Sequence, residues 1–183
     1  MSVGLKKLGA PFPISALGLI GDDEAGQSLI KICDQMQIDR STLEVRSGVS
    51  TSVTLVMNAS DSGKRTFFHS AGAHALQTPD DFDFTHSTAR IVHLGLPGLH
   101  EKLDRPWADE ASGWVAILKK ARAAGLKTNV ELVSVEPDKI RAAAIPMLPY
   151  LDTLIKTSAA FRQASGLVMP LWMVSTPLIA PAS

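Results

Sequence analysis

The stretch from Gly48 to Leu76, GVSTSVTLVMNASDSGKRTFFHSAGAHAL, constrains the chain most, because it reads as a strand hairpin with no obvious place to sit. Val53, Leu55 and Met57 alternate with Thr54 and Val56, and Lys64–His69 alternates again, the period-2 signal of two paired strands. Asn58–Gly63 is the turn between them. Both faces carry apolar groups, Val56 and Phe68 as well as Val53, Leu55 and Phe67, and an isolated two-stranded hairpin is marginal in water. It must therefore cover something. Two readings stand: an ordinary hairpin at a sheet edge, or a flap over a ligand site with Ser70–His74 as its hinge.

Length and charge narrow the alternatives. A chain of 183 residues with 45% hydrophobic content is long enough for one globular domain with a substantial core. Its 18 basic and 18 acidic residues leave no electrostatic footprint for nucleic acid or an anionic membrane, so neither partner is expected. The single cysteine, Cys33, excludes an internal disulfide and reads as a core residue. With no apolar signal segment at the N-terminus, a cytoplasmic location is expected.

Taken in order, Val3–Leu8 reads as the last turns of a helix ended by Gly9, with Pro11 and Pro13 blocking continuation. Ile14–Ile20 has strand length and ends at Gly21. Asp22, Asp23 and Glu24 then supply an N-cap and an acidic first turn to a helix that carries Leu29, Ile30 and Cys33 on one face. Capping explains both aspartates better than metal or acid–base chemistry, and Gly26 suggests close packing. Beyond the hairpin, Thr78-Pro79-Asp80-Asp81 predicts a capped short helix. Ala89–Leu96 predicts a strand with His93 on a sheet face or in the core. Gly95, Pro97 and Gly98 close that strand with a loop where backbone could approach a small molecule, or with a simple turn.

Trp107–Ala124 predicts a helix with Trp107, Ala111, Trp114, Leu118 and Ala121 on one stripe, ended by Gly125. Leu126–Val133 predicts a strand, Pro137–Ile145 a helix and Leu151–Ile155 a further strand. Strands alternating with helices predict an α/β architecture built on a mainly parallel sheet, with ligands at the carboxyl ends of its strands. Glu131 sits near such an end, where it faces either a polar site or solvent. The five histidines show no metal-ligand spacing, so a zinc site has no support.

These landmarks, in the order LGAPFPISALGLIGDDEAG, TSVTLVM, GKRTFFHSAGAHALQTPDDF, IVHLGLP and ARAAGLKTNVEL, resemble the ribokinase-like, or PfkB, carbohydrate kinases over residues 1–155. The resemblance implies a partial three-layer ribokinase-like fold whose hairpin, about residues 48–76, is the lid over the sugar. It implies ATP-dependent phosphoryl transfer to a sugar hydroxyl, with ATP and a divalent metal such as Mg as cofactors. Lys64, Arg65 and His74 of the hairpin segment join Gly95 and Glu131 as the candidate substrate-binding residues.

The departures from the family pattern carry their own expectation. With Ser2 and Gly9 aligned to the family's first signature, its Gly-Gly-Asn falls just before Met1, and the spacing from Gly9 to Gly21 is longer than the pattern. Lys156-Thr157-Ser158-Ala159 stands where the family has Asn-x-x-Glu, and no Gly-Ala-Gly-Asp, the source of catalytic base and anion hole, occurs. The chain thus reads as an internal fragment, inactive alone, with no candidate catalytic, cofactor-binding or metal-binding residue. Residues 156–183, without an acidic group and rich in proline, read as a non-family tail, disordered or translated from a shifted frame. The alternative function is a non-catalytic remnant or interaction module that dimerises through the lid hairpin.

Overall fold

The computed structural model describes residues 1–133 and 135–156; the expectations for residues 157–183 fall outside the described residues. The chain divides into two compact units, Met1–Gln77 and Thr78–Ser183.

In the first unit, α1 (Ser2–Lys7) ends where Gly9 takes φ +78°, as the glycine and the following prolines predict. β1 (Ser15–Gly21) leads into α2 (Glu24–Gln35), whose N-cap is Asp23: its Oδ1 accepts the Gly26 N–H at 2.9 Å. The buried side of α2 is Gly26 and Cys33, with Ile30 half-buried, whereas Leu29 is 40% exposed. That corrects the expected face by one position, because Gly26 is the residue that lets α2 approach β1. A Cβ there would meet the Gly21 carbonyl oxygen and lie 2.9 Å from Thr51 Oγ1.

β2 (Asp39–Arg46) pairs in parallel with β1, from Leu17↔Thr42 to Gly21↔Arg46. The sequence pattern gives no sign of this strand, since only Leu43 and Val45 are apolar along it and most of it is exposed. β3 (Val53–Asn58) and β4 (Arg65–Ser70) form an antiparallel hairpin in the register Val53↔Ser70 to Asn58↔Arg65. Every residue of both strands is exposed. Returning from the hairpin, Gly72–Leu76 forms a 3-10 helix that packs on β1. Gly72 takes φ +48° there, and a side chain would meet Ser50 O.

In the second unit, Thr78–Asp81 forms the capped turn expected, as a 3-10 helix: the Asp81 carboxylate accepts the Thr78 N–H at 2.6 Å. β5 (Ile91–Gly95), β6 (Lys127–Leu132) and β7 (Thr153–Lys156) make a parallel three-stranded sheet in that order. Between them come α3 (Gly113–Ala123) and α4 (Pro137–Ala144), the crossovers that parallel pairing requires. The predicted helix from Trp107 starts six residues late. Trp107 and Glu110 close a tight turn through two mutual backbone hydrogen bonds of 3.1 and 2.8 Å, and Ser112 is the true N-cap, accepting Val115 N–H at 3.3 Å. Trp107 and Ala111 therefore lie outside the helical stripe.

The core of this unit lies on one face of the sheet. Leu94, Thr128, Val130 and Leu132 of the sheet are buried, as are Trp114, Ile117 and Leu118 of α3, which packs on β6, and Ile140 and Ala144 of α4. Period-2 alternation then puts His93 and Gly95 of β5, and Asn129 and Glu131 of β6, on the opposite face. The structure is mixed α/β with parallel sheets, as the alternating pattern predicts.

Candidate functional site

Parallel strands converge their carboxyl ends on one edge, and in the second unit that edge carries Gly95 directly opposite Glu131. Among the described residues, a Cβ built on Gly95 would approach only Glu131 Cβ and O, both at 3.8 Å, so the glycine leaves a notch beside the carboxylate. Glu131 Oε2 lies 3.4 Å from His93 Nε2, and the two side chains are 33% and 27% exposed. One row back toward the strands' amino ends, His93 opposes Asn129, which opposes Thr153. His93 Nδ1 and Asn129 Oδ1 are buried atoms without a hydrogen-bond partner among the described residues.

The loop that follows Gly95 is fixed by one carboxylate. Asp104 Oδ1 accepts the Gly98 N–H at 2.8 Å and the Trp114 Nε1–H at 2.9 Å, while Oδ2 accepts the His100 N–H at 3.0 Å. His100 stacks edge-on against Trp114, ring centroids 5.0 Å apart. Gly98, at φ +97°, leaves room for Val135 of the neighbouring loop, whose Cγ2 would be 3.0 Å from any Cβ there. The Gly98, Leu99 and His100 amides of the loop that follows Gly95 are thus already hydrogen-bonded. At the other side of β6, Asp152 accepts the Thr128 N–H at 2.8 Å, and this hydrogen bond is the main reason its carboxyl is held below the usual range.

Of the five residues singled out from sequence, the structure brings Gly95 and Glu131 together. Lys64 and Arg65 stand at the turn end of the hairpin: the Lys64 carbonyl accepts the Ala59 N–H at 2.8 Å, and the Arg65 guanidinium lies 5.9 Å from the Phe67 ring. His74 belongs to the opposite end, where its N–H donates to Ser52 Oγ at 3.2 Å. Burial pushes its imidazole pKa down, with the neighbouring His69 adding to the effect, so His74 favours the neutral form. His93 and Asn129 were not singled out as site residues, and the signal that places them is strand register, which the sequence alone does not supply.

Asp23, the other carboxylate weighed from sequence, is a structural cap. The Thr51 hydroxyl is the largest of the hydrogen bonds that lower its pKa, followed by the amides of Gly26 and Thr51. Its oxygens are filled by these donors, as the capping reading expects.

The family model for pfkB family carbohydrate kinases matches residues 1–148. The chain belongs to the PfkB family. Solved structures agree with that assignment in fold. The PfkB chain resembles 2-dehydro-3-deoxygluconokinase from Thermotoga maritima, with a TM-score of 0.72 at 15% identity over 91% of this chain and 51% of that one. It resembles a PfkB protein from Polaromonas sp. JS666, with a TM-score of 0.70 at 18% identity over 92% of this chain and 57% of that one. A fructokinase from Xylella fastidiosa with bound ATP gives a TM-score of 0.60 at 19% identity over 84% of this chain and 48% of that one. The PfkB chain spans about half the length of these structures. No curated protein matches it.

Proposed function

We propose that this chain is the sugar-facing part of a PfkB-type carbohydrate kinase and that it does not phosphorylate a sugar by itself. The observation that carries the reading is Gly95 opposite Glu131 at the carboxyl ends of parallel strands, a notch with a half-exposed carboxylate to accept sugar hydroxyls. The family resemblance makes the hairpin a lid that carries Lys64, Arg65 and His74 as further candidate substrate-binding residues, in a domain of residues 1–155 with residues 156–183 outside it. A cytoplasmic location belongs to the same reading, resting on the lone buried Cys33. Among the described residues no helix is long and apolar enough to cross a membrane.

Gly-Ala-Gly-Asp, the family's source of catalytic base and anion hole, does not occur in the sequence. No group of three or more His, Cys, Asp or Glu among them could hold a metal ion such as Mg. Among the helix N-termini, Asp23 caps α2 and Ser112 caps α3, while α1 and α4 carry no side-chain cap. Without the Gly-Ala-Gly-Asp motif, no residue of this chain is assigned to positioning or charge stabilisation of the transferring phosphoryl group.

Calorimetric titration with D-fructose, with 2-dehydro-3-deoxygluconate and with ATP tests the proposal, alongside a coupled assay for ADP release. The expected result is weak sugar binding that Glu131→Gln removes, no heat from ATP and no turnover. Turnover abolished by a mutation within this chain, or heat from neither sugar, would overturn it.

A second reading has its own observation. Val53, Leu55, Val56, Met57, Phe67 and Phe68 are each between 42% and 60% exposed on the hairpin. A patch of this kind favours association, and a homodimer through the hairpin would make the chain a non-catalytic interaction module.

A further inference from the structure

We infer that His93 is a positioning residue that holds the Glu131 carboxylate in the orientation in which its second oxygen meets a ligand hydroxyl. The inference rests on the sugar-facing reading of this strand edge and deepens it. Glu131 has a glycine on one flank and Ile155 on the other, so neither cross-strand neighbour in its own row offers a polar contact. Among the described residues, its close polar contact is His93 Nε2, 3.4 Å from Oε2. A glutamate side chain left to itself samples many rotamers, and ordering it on binding costs conformational entropy. An imidazole N–H directed at one oxygen removes part of that cost before the ligand arrives, and such contacts shorten when the site is filled.

The placement of the imidazole supports this role. The core residues Leu94, Val130 and Leu132 occupy the face of the sheet opposite His93. It stands instead on the face of Glu131 and Asn129, and its register partner Asn129 carries a buried, unpartnered Oδ1 while its own Nδ1 is likewise unpartnered. Direct cross-strand neighbours of this kind are within reach of a small rotation. The ring then bridges two groups: Nε2–H donates to Glu131, and the Asn129 amide, whose nitrogen and oxygen are interchangeable by a flip, donates to Nδ1.

Two measurements test the inference, one of them independent of any sugar. Long-range nitrogen–proton spectra of the labelled, unliganded chain should show the Nε2–H tautomer of His93, and Glu131→Gln should shift its Nε2 resonance. D-fructose titration should show His93→Leu weakening affinity 5-fold or more, with His93→Gln, which restores an N–H donor at similar reach, recovering most of it at an unchanged melting temperature. A His93 resonance indifferent to Glu131→Gln overturns the inference, whether or not sugar binds. So does undiminished fructose affinity in His93→Leu. If the unmodified chain binds neither D-fructose nor 2-dehydro-3-deoxygluconate, the functional reading fails and the ligand role of His93 falls with it. The spectra then decide separately whether the His93–Glu131 contact exists.

Discussion

Asp23 and Thr51 are joined twice: Asp23 Oδ2 accepts the Thr51 N–H at 2.8 Å and Oδ1 accepts the Thr51 hydroxyl at 2.6 Å. The same hydroxyl oxygen accepts the Gly21 N–H at 2.9 Å. One carboxylate thereby links the end of β1, the start of α2 and the loop leading into the hairpin. A cap that is also a long-range tie should matter more than its helix alone would require.

That tie predicts an acid-sensitive element. The Thr51 hydroxyl, then the Gly26 and Thr51 amides, hold the Asp23 pKa below its ordinary value. A depressed folded-state pKa means that the unfolded chain binds more protons, so this stabilisation is full above the unfolded pKa of about 3.9. It is lost as pH falls through the lower folded value. Melting temperatures at pH 7 and pH 3 should therefore fall further for the unmodified chain than for Asp23→Asn. Asp39, Asp83 and Asp152 are shifted in the same direction, so the difference between the two proteins, and not the absolute slope, carries the test.

Gly26 and Gly4 make a paired test of packing. A methyl at Gly26 meets the Gly21 carbonyl, with Thr51 Oγ1 at 2.9 Å and Asp23 Oδ1 at 3.3 Å, so backbone would have to move. Gly26→Ala should cost at least the upper end of the roughly 1–3 kcal/mol typical of overpacking. Nothing lies within 4 Å of a Cβ on Gly4. In α1, Gly4→Ala should be neutral or stabilising by up to about 1 kcal/mol. Urea denaturation of the two variants checks both signs.

Ser112 caps a helix whose inner side supplies Trp114, Ile117 and Leu118 to the core of the second unit. Ser112→Ala removes the acceptor for Val115 N–H and should lower stability by about 1 kcal/mol. Ser112→Asp, which retains an acceptor, should recover part of the loss if the buried position admits the charge. Equal stability of the unmodified chain and Ser112→Ala by chemical denaturation would show that the helix start is fixed by the Trp107–Glu110 turn instead.

What was legible in the sequence was whatever left a periodic or punctuating signal. Asp23, Pro79 and Pro137 mark helix starts that the structure keeps, and the alternation in Val53–Met57 marks its strand. β2 left no such mark, because a strand exposed along most of its length needs few apolar residues, and its pairing with β1 is made by backbone. The start of α3 was hidden for the opposite reason: Trp107 and Ala111 fit the helical stripe by spacing, while two backbone hydrogen bonds hold Trp107 in a turn. At the candidate site, Glu131 could be placed near a strand end. Its neighbours Gly95 and His93 come from a distant segment, and only the parallel register brings them to it.

The hairpin supplies the last test. Its apolar residues are exposed on both faces: Leu55 opposes Phe68 and Val56 opposes Phe67, with Phe67 at 58% and Phe68 at 57% exposed. Exposed apolar area of this kind is unfavourable in water at roughly 25 cal/mol per Å², so a second surface should cover it as concentration rises. Sedimentation velocity over a hundredfold concentration range should show the unmodified chain associating. The double variant Phe67→Ser, Phe68→Ser should remain monomeric for longer, and its melting temperature should change little, because neither ring is part of a buried core. An unmodified chain that stays monomeric throughout, or a double variant that associates equally, would remove the hairpin as an interface.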